Sequence, residues 1–291
     1  MAAARQPSQV KVRPVTRGQA FRAPTLADYW CAIHDLPATL QKGHIQRAKF
    51  RLGREAQLAV YYAPFEGPVN REARILLVGL TPGWTQTAIA YEVCRQQLRE
   101  GATNAAALRA VRSEAPFAGM RDRLCGWLDG LGVEQWLEVG STHELFEERR
   151  NLLQTTSLIR YPVFVGDRGE NYRGAGRRSI QSPLLWSIID AVFVPLLRKL
   201  PNALIVPMGV AVSGALRDLD VDPARCLYGF PHPSGANGHG PMQYREHHAK
   251  MRRVVALLPI APVSSGRRRA GRATLPLDEE GRIAREYRSG G

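Results

Sequence analysis

ARILLVGLTPGW, residues 73–84, is the stretch on which the fold turns. Residues 75–80 form a continuous apolar run, the pattern of a strand covered on both faces rather than one. The run closes in Thr81-Pro82-Gly83, and WTQTAIAYEVCRQQLRE (84–100) then has helical spacing, so the segment reads as strand, tight turn, helix. The same alternation continues along the chain. LLQTTSLIRYPVF (152–164) reads as a second buried strand, ALIVPMG (203–209) as a third and CLYGF (226–230) as a fourth. AQLAVYYAP (56–64) is rich in β-forming residues. Residues 102–146 are Ala- and Leu-rich with glycine breaks and predict several short helices. SPLLWSIIDAVFVPLLRKL predicts an amphipathic helix with Ser182 as N-cap and Pro183 in its first turn. VAVSGALRDL (210–219) and residues 241–258 predict two more. Apolar strands alternating with helices imply an α/β fold, a three-layer α/β/α sandwich around a mostly parallel four-stranded sheet.

In such a sheet ligands bind off the carboxyl ends of the strands. Three polar, turn-rich segments fall at those ends: 79–86, 157–172 and 231–240. They are expected to converge.

With 291 residues, 44% hydrophobic and 23% charged, the composition is that of a globular chain. No apolar run approaches the roughly 20 residues of a membrane helix. The start, MAAARQPSQVKVRP, lacks the apolar stretch of a secretory signal, so a cytoplasmic location is expected. Residues 1–24 and 262–291 read as basic arms flanking one domain at 25–261. Their net charges, +5 and +3, taken from a total of +14, leave +6 on the body. A surplus of that kind suits a polyanionic partner, with solubility as the competing explanation. Cys31, Cys94, Cys125 and Cys226 lie far apart without a Cys-x-x-Cys pair, which argues against zinc, a disulfide framework or an iron–sulfur cluster; no cofactor or metal is expected. His239, His247 and His248 are close in sequence, but adjacent helical positions point about 100° apart, so they read as surface residues.

The three turn segments carry a resemblance. GLTPG (79–83), TTSLIRYP (155–162) and HPSG (232–235), in that order over roughly residues 55–258, resemble the three motifs of the uracil-DNA glycosylase superfamily. The resemblance implies a glycosylase-like fold, a monomer, DNA as partner, and hydrolysis of an N-glycosidic bond after the base is flipped out of the helix. His232 is the candidate to stabilise negative charge on the departing base. Gly79, Pro82 and Gly83 bring backbone close to sugar and phosphate, while Ser234, Gly235 and Asn237 are candidates for DNA contact near a helix start. Trp84, Tyr161 and Tyr172 are candidate stacking faces for the base, and Arg177 and Arg178, in a glycine-rich loop with Asn171 and Arg173, suit phosphate contacts.

Two positions depart from the superfamily pattern. Thr81 stands where most relatives carry Asp or Asn to hold the attacking water; a hydroxyl orients water but is no base near neutral pH. Gln86, one helical turn on, and Asp167 or Glu170 on the long loop are the alternatives for that task. Ser157 stands where uracil-excising relatives carry an Asn that reads the base edge. The implied activity is therefore monofunctional removal of a non-uracil base, such as a bulky modified pyrimidine like glucosylated hydroxymethylcytosine, which fits an antiviral defence role. No lysine in the three motifs is available for a Schiff base. Repair of uracil or other deaminated bases, an inactive binder of flipped bases, and a small-molecule hydrolase on a Rossmann-like scaffold are the alternatives.

Overall fold

In the structure, a computed structural model describing residues 20–117, 119–174 and 180–259, the run ILLVG is the central strand of a parallel sheet. This strand, β3 (Ile75–Gly79), is buried throughout and lies between β4 (Leu153–Ser157) and β7 (Leu204–Pro207). Ile75 pairs with Leu153 and Leu204, and at the other end Gly79 pairs with Ser157. Two of the predicted turns therefore leave the sheet side by side.

Alternation along β3 explains the unbroken apolar run. Ile75 and Leu77 enter one core with Leu124, Leu128 and Met251, while Leu76 and Val78 enter the other with Tyr91, Val111 and Val212. The first core is closed by α5 (Arg121–Asp129), α6 (Val133–Leu137) and α10 (Gly240–Ala256). Helices α1 (Leu26–His34), α3 (Trp84–Arg99), α4 (Asn104–Glu114) and α9 (Val210–Asp218) contribute to the second. A short helix, α2 (Lys42–Ile45), precedes β1 (Arg51–Glu55). Both faces of the sheet are covered, so the chain is α/β with helices on either side of a parallel sheet.

The parallel sheet has three strands rather than the expected four. CLYGF contributes one bridge, Ile205 to Cys226. It then turns, because Tyr228 N–H donates to the Cys226 carbonyl, Phe230 N–H to the Leu227 carbonyl, and Gly229 takes φ 99°. These local bonds replace the ladder a strand would need.

AQLAVYYAP joins a second, antiparallel sheet of order β1–β2–β5–β6, built from Arg51–Glu55, Leu58–Tyr61, Val163–Val165 and Glu170–Asn171. Part of the segment read as one long loop is thus a hairpin, turning at residues 166–169 with Gly166 and Gly169 at positive φ. The helix after Ser182 forms as expected, capped by Ser182 Oγ accepting from Leu185 N–H at 3.2 Å. It runs as α7 (Pro183–Ile188) and α8 (Val194–Arg198), joined by a π-helical turn at Ile189–Phe193. Pro195 in its second half lacks the N–H that regular α-helix spacing requires there.

The described residues up to Leu258 form one compact unit. Residues 1–19 of the expected N-terminal arm and all of 262–291 lie outside the described residues, and residues 20–24 carry no helix or strand. No helix among the described residues is long and apolar enough to cross a membrane.

Candidate functional site

At the carboxyl ends of β3, β4 and β7 the three turn segments open onto one cleft of about 710 Å³, within the usual range for ligand sites. Gly79 through Gln86 form one wall, Thr155, Thr156 and Ser157 contribute the end of β4, and His232, Ser234, Ala236 and Asn237 form the third side. Residues some 150 positions apart in sequence meet because parallel strands place all their carboxyl ends at one edge.

His232 is held in a defined state. The Ser234 backbone N–H donates to its Nδ1 at 3.2 Å, so Nδ1 is the lone-pair nitrogen and the proton resides on Nε2. Burial lowers its pKa below the ordinary imidazole value, which keeps the ring neutral. The surrounding turn is tied down as well. Asn237 Nδ2 donates to the His232 carbonyl at 3.1 Å and to Gln243 Oε1 at 3.3 Å, and Arg123 donates to the Ser234 carbonyl at 3.1 Å. Beneath it, Gly209 has φ 96° and ψ 167°, a region open almost only to glycine, and its N–H donates to the Phe230 carbonyl at 3.0 Å. The site therefore offers a neutral N–H donor on a rigid turn.

Thr81 lines the cleft, but its hydroxyl is already engaged. Thr81 Oγ1 donates to the Tyr161 carbonyl at 2.8 Å and accepts from Val163 N–H at 3.2 Å. It ties the first motif to the second, and its only proton does not face a water. Gln86 also lines the cleft, and its side-chain amide makes no hydrogen bond among the described residues, which leaves it the better candidate to orient water.

The other predicted positions divide. Gly79, Pro82, Gly83, Trp84, Ser157 and Tyr172 line the cleft, with Trp84 and Tyr172 half-buried. Trp84 N–H is fixed by Asn171 Oδ1 at 3.2 Å, which brings the β6 hairpin against the start of α3. Tyr161 does not serve as a stacking face: its ring is fully buried and packs on Phe21 and Tyr62 at centroid distances of 5.9 and 6.3 Å. The polar turn around it hid a side chain that points into the core. Asp167 sits exposed in the hairpin turn and does not line the cleft, nor does exposed Glu170 in β6. Pairing with β5 carries both away from the strand ends. Gly235 is exposed and outside the lining, whereas its neighbours Ser234 and Ala236 belong to it. Arg177 and Arg178 lie outside the described residues. His248 Nε2 lies 3.0 Å from the Gly130 carbonyl, on the side of α10 that meets α5.

Several lining residues carried no sequence signal. Arg112 lies on a helix that reads as ordinary amphipathic surface, yet it turns inward and donates to the Pro68 and Leu153 carbonyls at 2.6 and 3.3 Å. Arg160 also lines the cleft, as does Arg173 of the loop expected to make phosphate contacts, and among the described residues no carboxylate does. The charged side chains of the described lining are therefore all positive.

Behind this wall, next to the lining residues Phe65 and Gly67, Glu66 accepts from the Tyr62 hydroxyl at 2.7 Å, and its Oε2 is buried with no hydrogen-bond partner. Burial raises its carboxyl to about 7, against the lowering effects of the Tyr62 bond and of Arg160. A carboxyl raised on folding stabilises below its unfolded value of about 4.5, and this contribution is lost as pH climbs through the folded value. Glu66→Gln is accordingly expected to stabilise the fold at pH 8.5 by on the order of 3 kcal/mol, read as a higher melting temperature, and to change little at pH 4.5. Equal shifts at both pH values in a thermal melt would contradict this.

The fold and site thus define an α/β protein with an arginine-lined cleft at the sheet edge and a neutral histidine donor in it. No family model matches the chain, and no solved structure does. Over 229 residues, 77% of its length, the chain is 35% identical to the uncharacterized protein YoxB of Bacillus subtilis, covering 89% of that protein. The chain belongs to the YoxB family.

Proposed function

We propose that this protein is a monofunctional DNA glycosylase with a uracil-DNA glycosylase-like α/β/α architecture, removing a base other than uracil and leaving an abasic site. The observation that carries this reading is the meeting of GLTPG, TTS and HPSG in one cleft around a neutral, Nε2-protonated His232. A base swung into the cleft accepts a hydrogen bond from Nε2 at a ring carbonyl, and that bond strengthens as the glycosidic bond breaks and the oxygen gains charge. Arg112, Arg160 and Arg173 favour the same developing anion. Gln86 orients the water that captures the sugar carbon. Among the described residues no lysine lines the cleft, so the base is released by hydrolysis rather than through a Schiff base on the sugar. Ser157, shorter than a base-reading Asn, leaves room at the pyrimidine edge for a substituent such as the glucosyl group of a modified phage cytosine.

The test is alkali-dependent strand cleavage of duplexes carrying uracil, hypoxanthine or glucosylated hydroxymethylcytosine. Cleavage at the modified cytosine and not at uracil is the expected result, and cleavage at uracil alone would overturn the altered-pocket reading. A second reading, a binder of flipped bases without turnover, is favoured by the absence of any carboxylate among the described lining residues and by the engagement of Thr81. It predicts nanomolar to micromolar, salt-dependent binding to the modified duplex with no base released overnight.

A further inference from the structure

On the far side of α4 a second crevice of about 220 Å³ adjoins the main cleft, sharing Arg112, Pro116 and Thr155 with it. Its remaining wall includes Arg109, Ser113 and Arg150. Arg109, on α4, and Arg150 make no ion pair or hydrogen bond among the described residues. Arg112 between them is partly buried, and its guanidinium bonds are made to backbone carbonyls, with no carboxylate in contact among the described residues. Arginine keeps its charge at any physiological pH. Three cations that face one crevice without counter-charge repel one another, a cost offset when an anion enters. The hydroxyl-bearing residues Ser113 and Thr155 add neutral donors at the same place, and guanidinium forks with hydroxyls are the donor set that recognises tetrahedral oxyanions.

We propose that this crevice is a binding site for a phosphate-type oxyanion carried by the molecule that occupies the main cleft. The two cavities adjoin at Arg112, Pro116 and Thr155, so a ligand seated against Thr155 in the main cleft lies one side chain away from the crevice. The phosphate can be the terminal monoester of a nucleotide or a diester of a nucleic-acid backbone, both presenting the same oxygens to Arg109 and Arg150.

The experiment uses the full chain at low ionic strength, titrated with inorganic phosphate, a deoxynucleoside 5′-monophosphate and its nucleoside, and a short abasic oligodeoxynucleotide with a free 5′-hydroxyl. The wild type is expected to bind the nucleotide roughly tenfold or more tightly than the nucleoside, as one charge-assisted bidentate contact warrants. The double variant Arg109→Ala, Arg150→Ala is expected to abolish that preference and the phosphate-induced rise in melting temperature. Both side chains are exposed and unbonded, so the variant folds. The charge-matched control Arg245→Ala, Arg252→Ala, on α10, is expected to bind phosphate as the wild type does. Preference confined to the monophosphate assigns the site to a terminal phosphate; Arg109- and Arg150-dependent binding of the abasic oligonucleotide assigns it to a backbone diester. A nucleoside bound as tightly as its nucleotide, or phosphate binding unchanged in the double variant, overturns the proposal. Because no base release is measured, failure here and failure of the glycosylase reading remain distinguishable.

Discussion

Under the proposed glycosylase activity, replacing His232 by alanine is expected to slow base release about 100- to 1,000-fold, the loss of roughly 2.7–4 kcal/mol that follows removal of one preorganised donor to a developing oxyanion. The size of the effect follows from the state of the ring. Nδ1 is occupied by the Ser234 N–H, so the Nε2 proton is the one left for a ligand, and the turn that carries it is pinned by Asn237, Arg123 and Gly209. A donor fixed before the reaction needs no reorganisation when charge appears. His232→Gln, which keeps an N–H donor, is expected to recover part of the loss. The pH profile carries the same signature. Burial lowers the pKa of the ring, so the wild-type rate is expected to hold as pH falls from 8 to 6.5 and to decline only below the ordinary imidazole range of about 6.5, where a proton on Nδ1 would face the Ser234 N–H. Stability has the same sign, present above the unfolded value and lost as pH falls through the folded one. Single-turnover rates measured across that range decide the matter; a His232→Ala rate within threefold of wild type removes the histidine from the chemistry.

Thr81→Val, nearly isosteric, is expected to destabilise the fold by about 3 kcal/mol. It leaves the Tyr161 carbonyl and the Val163 N–H without the partner each has now, and each such buried group costs about 1–3 kcal/mol. In a chain of this size the melting temperature then falls by several degrees. Thr81→Ser, which keeps the hydroxyl, is expected to melt near the wild type. Thr81→Asp would install the residue that the proposed glycosylase reading calls for at this place, but its carboxylate would meet the Tyr161 carbonyl oxygen, so a loss of stability with no gain in turnover is expected. A Thr81→Val variant that melts like the wild type yet loses all turnover would return the hydroxyl to water activation.

The contrast between Thr81 and Gln86 shows how much of the site was legible in the sequence. Both stand in the right segment, and both were candidates to hold water. Thr81 is engaged by a carbonyl and an amide from residues 161 and 163, a long-range contact that no local pattern encodes. Tyr161 and Asp167 illustrate the same point. A polar, glycine-rich stretch says that the chain turns, but the pairing of Val163–Val165 with Glu170–Asn171 decides which side chains face the core and which face water. Arg112 was invisible because an arginine on an amphipathic helix is ordinarily solvated, and only the packing of α4 against β4 turns it inward.

From the chain's order of residues alone came the α/β class, the central apolar strand, the capped helix after Ser182 and the turns that follow β3 and β4. Each depends on interactions within a few residues: side-chain periodicity, a proline's fixed φ, a hydroxyl capping the next turn. Tertiary structure alone decided that the parallel sheet stops at three strands, that His232 presents Nε2, that no described carboxylate enters the cleft, and that a second arginine-lined crevice adjoins it. Those properties arise from contacts between segments distant along the chain, where burial and hydrogen bonding choose among side-chain directions that local sequence leaves equally open.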